Sequence, residues 1–255
     1  VVRLLANLGA NVDTPTNSGV TPAFIAAHQG HLKVVRLLAE LGANVKTPTN
    51  SGRTPLYVAA QNGHLEVVRV LAEFGANVET PWNNGITPVW VAAHNGNMDM
   101  LVLLAELGSD IDNQDNDGIT PLCIAAYNGH IEVVRKLTEL GANVNIPDIN
   151  GITPVYVAAY NGFVELLRVL AERGAELNTP DNNGTTPVWV AAMNGHLEVL
   201  RLLAELEANI NMPDMTDKTP VFIAAEEGHI DVVRFLIDNG ADVNTQDIDG
   251  ATPLY

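Results

Sequence analysis

The sequence predicts an all-α solenoid, in which helix-turn-helix units stack on copies of themselves and are joined by short β-hairpin-like turns. A strict period carries that prediction. Thr-Pro recurs at positions 21, 54, 87, 120, 153, 186, 219 and 252, always 33 residues apart, with no insertion or deletion. A second regularity fills each period. The stretch 151–162 reads Gly-Ile-Thr-Pro-Val-Tyr-Val-Ala-Ala-Tyr-Asn-Gly, and the same template of Thr-Pro, short apolar run, Ala-Ala and closing Gly returns along the chain. A unit this small cannot bury its apolar face alone but can do so against a neighbouring copy.

The unit at 150–182 shows why each element should form. Gly151 stands where a tight turn requires positive φ. Thr153 is placed as an N-cap, its hydroxyl ready to accept from an unpaired helix N–H. Pro154 follows at the first helical position, where its missing N–H costs nothing. The spacing then predicts a two-turn helix through Val155, Tyr156, Val157, Ala158, Ala159 and Tyr160, with the paired alanines small enough for close helix approach. Asn161-Gly162 ends it. A longer helix is predicted over 163–173, where Val164, Leu166, Leu167, Val169 and Leu170 make a broad apolar stripe. Gly174 stops that helix, and the residues up to Asn183 read as a turn with extended arms.

Several segments match a known pattern closely: Gly-x-Thr-Pro at 52–55, Ala-Ala-x-x-Gly-His at 59–64, and Leu-Leu-Ala-Glu-Leu-Gly-Ala-Asn at 37–44. The chain resembles the ankyrin repeat, whose period is also 33 residues. The resemblance covers essentially the whole sequence. It implies an ankyrin-repeat α-solenoid forming a single domain over 1–255. A partial repeat at 1–17 precedes repeats at 18–50, 51–83, 84–116, 117–149, 150–182, 183–215 and 216–248, and a partial repeat at 249–255 follows. Neither end offers the polar terminal repeat a solenoid needs, so the native protein is expected to extend further.

Composition excludes several classes. The net charge of −17 disfavours a phosphate backbone or an anionic membrane surface as partner. No apolar run is long enough to span a bilayer. The single cysteine, Cys123, has no internal disulfide partner and fits a reducing compartment, so an intracellular, cytoplasmic location is expected. Its place in a first helix predicts a buried, inert thiol.

Departures from the template mark places of interest. Thr16, Thr49 and Trp82 occupy the slot that later repeats fill with Asp115, Asp148, Asp181, Asp214 and Asp247. An Asp there can accept from its own backbone ahead. A Trp cannot, so Trp82 is either packed or offered to a partner. Glu207 replaces the glycine seen at 42, 75, 141 and 174, and Asp217 replaces the glycine seen at 151 and 184. Losing two positive-φ glycines predicts a strained or reshaped turn between 207 and 218. Second helices repeat a charge pattern, as in Glu132, Arg135, Glu139 and Glu165, Arg168, Glu172. That spacing puts opposite charges on one solvated helix face.

Patterns that could carry chemistry dissolve into the period. His31, His64, His130, His196 and His229 follow the glycine between the two helices, in a slot that Asn97 and Phe163 also fill, which makes it structural. His28 and His94 sit at the ends of first helices and are better placed for recognition. Asn113-Gln-Asp115-Asn-Asp117-Gly118 imitates a calcium loop, but the required bidentate Glu at the twelfth position is Ile124. Asn183-Gly-Thr185 has glycosylation spacing and is again the repeat turn. No catalytic constellation, phosphate cradle, metal site or cofactor motif escapes the frame, and no enzyme is predicted.

An aromatic series is more informative. Where the family usually has His after Thr-Pro-Leu, this chain has Phe24, Tyr57, Trp90, Cys123, Tyr156, Trp189, Phe222 and Tyr255. Stacked helix layers are about 10 Å apart and ring contacts need about 4.5–7 Å, so the series cannot be one continuous stack. It is either a packing substitute for the family's histidine bonds or the floor of a peptide groove.

In the ankyrin family partners usually bind the concave side, made by turn tips and the exposed ends of first helices. Carried onto this sequence, the tips include Val20, Arg53, Ile86, Ile119, Ile152 and Thr185, with Ile149 and Met215 beside them. The helix-end series is His28, Gln61, His94, Tyr127, Tyr160, Met193 and Glu226. The expected partner-binding residues are Trp82, Ile86, His94, Ile119, Tyr127, Ile149, Ile152, Tyr160, Met193 and Met215, an unusually apolar set of the kind that marks interaction surfaces. The expected function is a monomeric, non-catalytic protein-protein interaction scaffold gripping a protein or peptide segment that has apolar anchors and a basic flank, with no nucleic acid and no membrane. The alternative is a targeting or autoinhibitory repeat arm of a larger enzyme or effector.

Overall fold

The computed structural model describes residues 1–254; Tyr255, the last member of the aromatic series, lies outside the described residues. Among the described residues the chain is helical with no strand. The order is α1 (Val2–Asn7), α2 (Pro22–His28), α3 (Leu32–Glu40), α4 (Pro55–Gln61), α5 (Leu65–Glu73), α6 (Pro88–His94), α7 (Met98–Glu106), α8 (Pro121–Tyr127), α9 (Ile131–Glu139), α10 (Pro154–Tyr160), α11 (Val164–Glu172), α12 (Pro187–Met193), α13 (Leu197–Glu205), α14 (Pro220–Glu226) and α15 (Ile230–Asp238). Even-numbered helices are the short first helices and odd-numbered ones the second helices, which are longer in every case but α1.

The chain divides into two compact units, Val1–Ile124 and Ala125–Tyr255, with the division inside α8. In unit 1 the first helices α2, α4 and α6 pack in succession, as do the second helices α1, α3, α5 and α7, and each first helix packs on its own second helix. Unit 2 repeats the arrangement with α10, α12 and α14 in one layer and α9, α11, α13 and α15 in the other. The layers meet over the alanine pairs: Ala59, Ala92, Ala158, Ala191 and Ala224 expose nothing to solvent. Leu71, Leu104, Leu170 and Leu203 are equally buried on the second helices. Cys123 is buried, as its slot predicts.

Local chemistry follows the sequence closely. The Thr153 hydroxyl accepts from Tyr156 N at 3.3 Å, and Thr21, Thr54, Thr87, Thr120 and Thr186 cap their helices the same way. Thr219 is the exception. It caps no N–H and instead pairs with the Thr245 hydroxyl at 3.3 Å. Second helices begin one residue later than the spacing predicts, because Phe163 and the histidines in its slot take non-helical N-cap angles.

The joint at 207–218 keeps the regular frame. Glu207 and Asp217 are left-handed, at φ 62 and 61, so they adopt the backbone of the glycines they replace and do not reshape the turn. Ala208 N still donates to Leu203 O at 2.9 Å and Asp217 N to Asp214 O at 3.1 Å, the bonds found in the other repeats. Added Cβ atoms at Gly42, Gly108, Gly141 and Gly174 would meet nothing within 4 Å, and one at Gly75 only the flexible end of Lys46 at 3.1 Å, so the Glu207 slot is sterically open and its main cost is backbone strain.

Candidate functional site

The turn tips are built in three chemically different ways, of which the aspartate form spans both units: in unit 1, Asp115 Oδ1 accepts from Asp117 N at 3.0 Å and Ile119 N at 2.8 Å. In unit 2, Asp148 Oδ1 accepts from Asn150 N and Ile152 N, both at 2.8 Å, and Asp181 and Asp214 hold their turns likewise. In unit 1, Thr49 Oγ1 accepts from Arg53 N at 3.2 Å and shares a hydrogen bond with the Ser51 hydroxyl at 2.9 Å; Thr16 and Ser18 do the same. A Thr-x-Ser pair thus replaces the aspartate without its charge. Trp82 offers no side-chain acceptor, and its turn takes another form: a 3-10 turn over Asn83–Gly85 with Asn84 left-handed at φ 66.

Trp82 is a packed side chain. It is half-buried, its Nε1 donates to Ser51 O at 3.0 Å, its ring lies 5.7 Å from the Tyr57 ring, and the Arg53 guanidinium sits 5.1 Å above it. The aromatic series is packing as well. Phe24, Tyr57, Trp90, Trp189 and Phe222 are all buried. Their polar tips tie one repeat to the next: Trp90 Nε1 donates to Ile119 O at 3.1 Å, Trp189 Nε1 to Lys218 O at 3.0 Å, and the Tyr156 and Thr185 hydroxyls bond at 3.0 Å. Burial raises the Tyr57 hydroxyl pKa above the ordinary tyrosine value against the pull of Arg53. Burial also raises that of Tyr156, opposed by the Thr185 bond and assisted by Asp181 and Tyr160.

His64, His196 and His229, which follow the inter-helix glycine, are bolts between repeats. His64 Nε2 donates to His28 O at 3.1 Å, His196 Nε2 to Tyr160 O at 2.9 Å and His229 Nε2 to Met193 O at 3.0 Å, in each case satisfying a carbonyl at the C-terminal end of the preceding first helix. Each ring lies so close to the preceding glycine that a Cβ at Gly30, Gly162 or Gly195 would meet it at 2.7–2.9 Å. Phe163 fills the slot by packing its ring against Gly129, and Asn97 by capping its own helix at Met100 N.

The predicted partner-binding residues separate by exposure. In unit 2, Tyr127 is 62 % exposed, Ile149 61 %, Tyr160 46 % and Met215 72 %, while Ile152 and Met193 are half-buried. In unit 1, His94 is exposed with its ring stacked 5.4 Å from Trp90, whereas Ile86 and Ile119 are half-buried. Ile149 and Met215 stand in a slot that is otherwise mostly asparagine. There Asn50 and Asn182 donate from Nδ2 to the tip carbonyls of Asn17 and Ile149, both at 3.0 Å. Ile248, 64 % exposed in the same slot, was not among the predicted residues, although its position in the period marks it. Among the described residues no group of His, Cys, Asp or Glu could hold a metal ion, and no helix is long and apolar enough to cross a membrane.

Helix pairs in two layers, hairpin turns and exposed apolar tips define a helical repeat protein of the interaction type. The family model described as "Ankyrin repeats (3 copies)" matches residues 1–81, 74–148 and 141–214, and the one described as "Ankyrin repeats (many copies)" matches 221–255. The chain belongs to the ankyrin repeat family. Ankyrin repeats are in general protein-protein interaction modules, and the family is typically non-catalytic. A search of curated proteins found no match.

Proposed function

We propose that the chain is a non-catalytic interaction scaffold whose unit 2 turn-tip face grips a partner segment through apolar anchors. The observation that carries this reading is the replacement of asparagine by Ile149 and Met215. The asparagine slot offers a ladder bond that satisfies a tip carbonyl; these two residues forgo it and leave apolar side chains largely in solvent. Tyr127 and Tyr160, at the ends of first helices in the same unit, add exposed rings. An apolar centre with a polar rim is the usual arrangement of binding hot spots. Asp148, Asp181 and Asp214 supply carboxylates at the tips, which suits a basic flank on the partner. In unit 1 the corresponding set is smaller, with His94 exposed and Ile86 and Ile119 half-buried. The unbroken period further supports one repeat domain over 1–255, and the lone cysteine suits the cytoplasm.

Calorimetric titration against a partner recovered by pull-down tests the reading. Tyr127→Ala combined with Tyr160→Ala is expected to cost more than about 2 kcal/mol in binding while barely moving the melting temperature. Ile149→Asn, which restores the ladder residue, should weaken binding and leave stability equal or higher. Unchanged affinity in both variants would remove this face from consideration.

A further inference from the structure

Unit 1 carries a second feature of opposite charge. Residues 14–31, 46–64 and 80–97, which form its first turn tips and the first helices behind them, contain no Asp or Glu in a chain of net charge −17. Within this acid-free stretch an open cleft of about 450 Å³ is lined by Arg53, His28, Thr49, Ser51 and Ser18. Arg53 Nε is buried and donates to nothing, and no carboxylate lies within ion-pair distance of the guanidinium among the described residues. Trp82 fixes the guanidinium from one side without neutralising it. Thr49 and Ser51 share one hydrogen bond between two hydroxyls, so one of their O–H groups is left over for a ligand oxygen.

The chain contains its own control. Lys218 occupies the slot of Arg53 five repeats later, over the Phe222 ring at 5.1 Å. Its ammonium bonds Glu226 Oε2 at 2.7 Å, a contact that raises its pKa, and Asp247 and Asp214 add their fields. The residues equivalent to Glu226, Asp214 and Asp247 around Arg53 are Gln61, Thr49 and Trp82. Every carboxylate that neutralises the later cation is absent from the earlier one. The fold does not require this, because the Thr-x-Ser turn and the Asp turn hold the same backbone N–H of the residue four places on.

We propose that the Arg53 cleft receives a carboxylate side chain from an acidic peptide segment of a partner protein, completing the ion pair that the chain withholds. The planar guanidinium with a hydroxyl beside it suits a carboxylate's two oxygens. This site is separate from the apolar face of unit 2, and the Tyr127→Ala, Tyr160→Ala variant should keep it intact, so the two readings fail independently.

The test is selection from a synthetic degenerate peptide library containing Asp, Glu, Asn, Gln and phosphoserine, on the immobilised full chain. The wild type should enrich Asp or Glu over Asn and Gln at one position, and Arg53→Gln should lose that preference. Thr49→Asp with Gln61→Glu restores two of the three carboxylates that surround Lys218, those of Asp214 and Glu226, and should melt as the wild type does, yet bind the selected peptide about tenfold more weakly or worse. The proposal is overturned by absence of acidic preference in the wild type, by equal retention on Arg53→Gln or on the rebuilt variant, or by enrichment of phosphoserine alone.

Discussion

Asn84, Glu207 and Asp217 hold left-handed backbone without being glycine. The strain differs among them, since Asn and Asp tolerate this region better than Glu. Glu207→Gly should therefore stabilise by something under about 1 kcal/mol, with a smaller gain for Asp217→Gly; a neutral or harmful Glu207→Gly in chemical denaturation would contradict the strain. Tyr57 and Tyr156 make a second prediction. Because their pKa values are raised on folding, the folded state holds these protons more tightly than the unfolded chain. Their contribution is complete below the ordinary tyrosine value of 10.0 and is lost as pH climbs through the raised values. Melting across this alkaline range should show wild type losing stability relative to Tyr57→Phe, and a flat difference would refute the assignment. The left-handed angle of Glu207 was legible in the sequence, because the frame placed it on a glycine. The packing of Trp82 was not, since its partners Tyr57 and Arg53 lie 25 and 29 residues earlier in the same repeat and only the folded turn brings them beside it.

Among elements, the threonine caps allow a differential prediction. Thr153→Ala removes a cap bond and should cost about 1 kcal/mol, whereas Thr219→Ala, which removes no cap, should cost less; urea denaturation of both distinguishes them. Helix positions were legible because Thr-Pro, Ala-Ala and glycine fix both ends of each first helix. The surface charge pattern was only half legible. Arg201 pairs with Glu198 on its own helix at 3.4 Å, but Arg36 reaches Glu73 on the next second helix at 3.6 Å and Arg135 reaches Glu165 at 3.2 Å. Spacing along one helix cannot show pairing across two. Each such exposed pair contributes little.

For the whole molecule, thirty acidic against thirteen basic side chains mean self-repulsion. Added salt screens it, so the melting temperature should rise between low ionic strength and about 0.15 M salt; a fall would show that the inter-helix ion pairs matter more than repulsion does. The candidate surface was legible as a set of slots. Which slots reach solvent was not, because Ile149 and Ile152 are alike in sequence while one is exposed and the other half-buried.

The ties between repeats have a further consequence. Tyr156 to Thr185 and Trp189 to Lys218 run 29 residues forward, and His196 to Tyr160 and His229 to Met193 run 36 residues back. A repeat such as 183–215 is thus plug on one side and socket on the other, at constant offsets. A whole block can be copied or lost and the severed ends still fit. Excising residues 163–195 joins Gly162 to His196, placing the histidine in the slot of Phe163 with Tyr127 as its new carbonyl acceptor. That shortened chain should keep a helical circular dichroism spectrum and a cooperative melt. Excising one residue fewer puts every downstream plug out of line with its socket and should abolish both. A lineage built this way lengthens and shortens by whole paragraphs of sequence and is intolerant of single-letter slips.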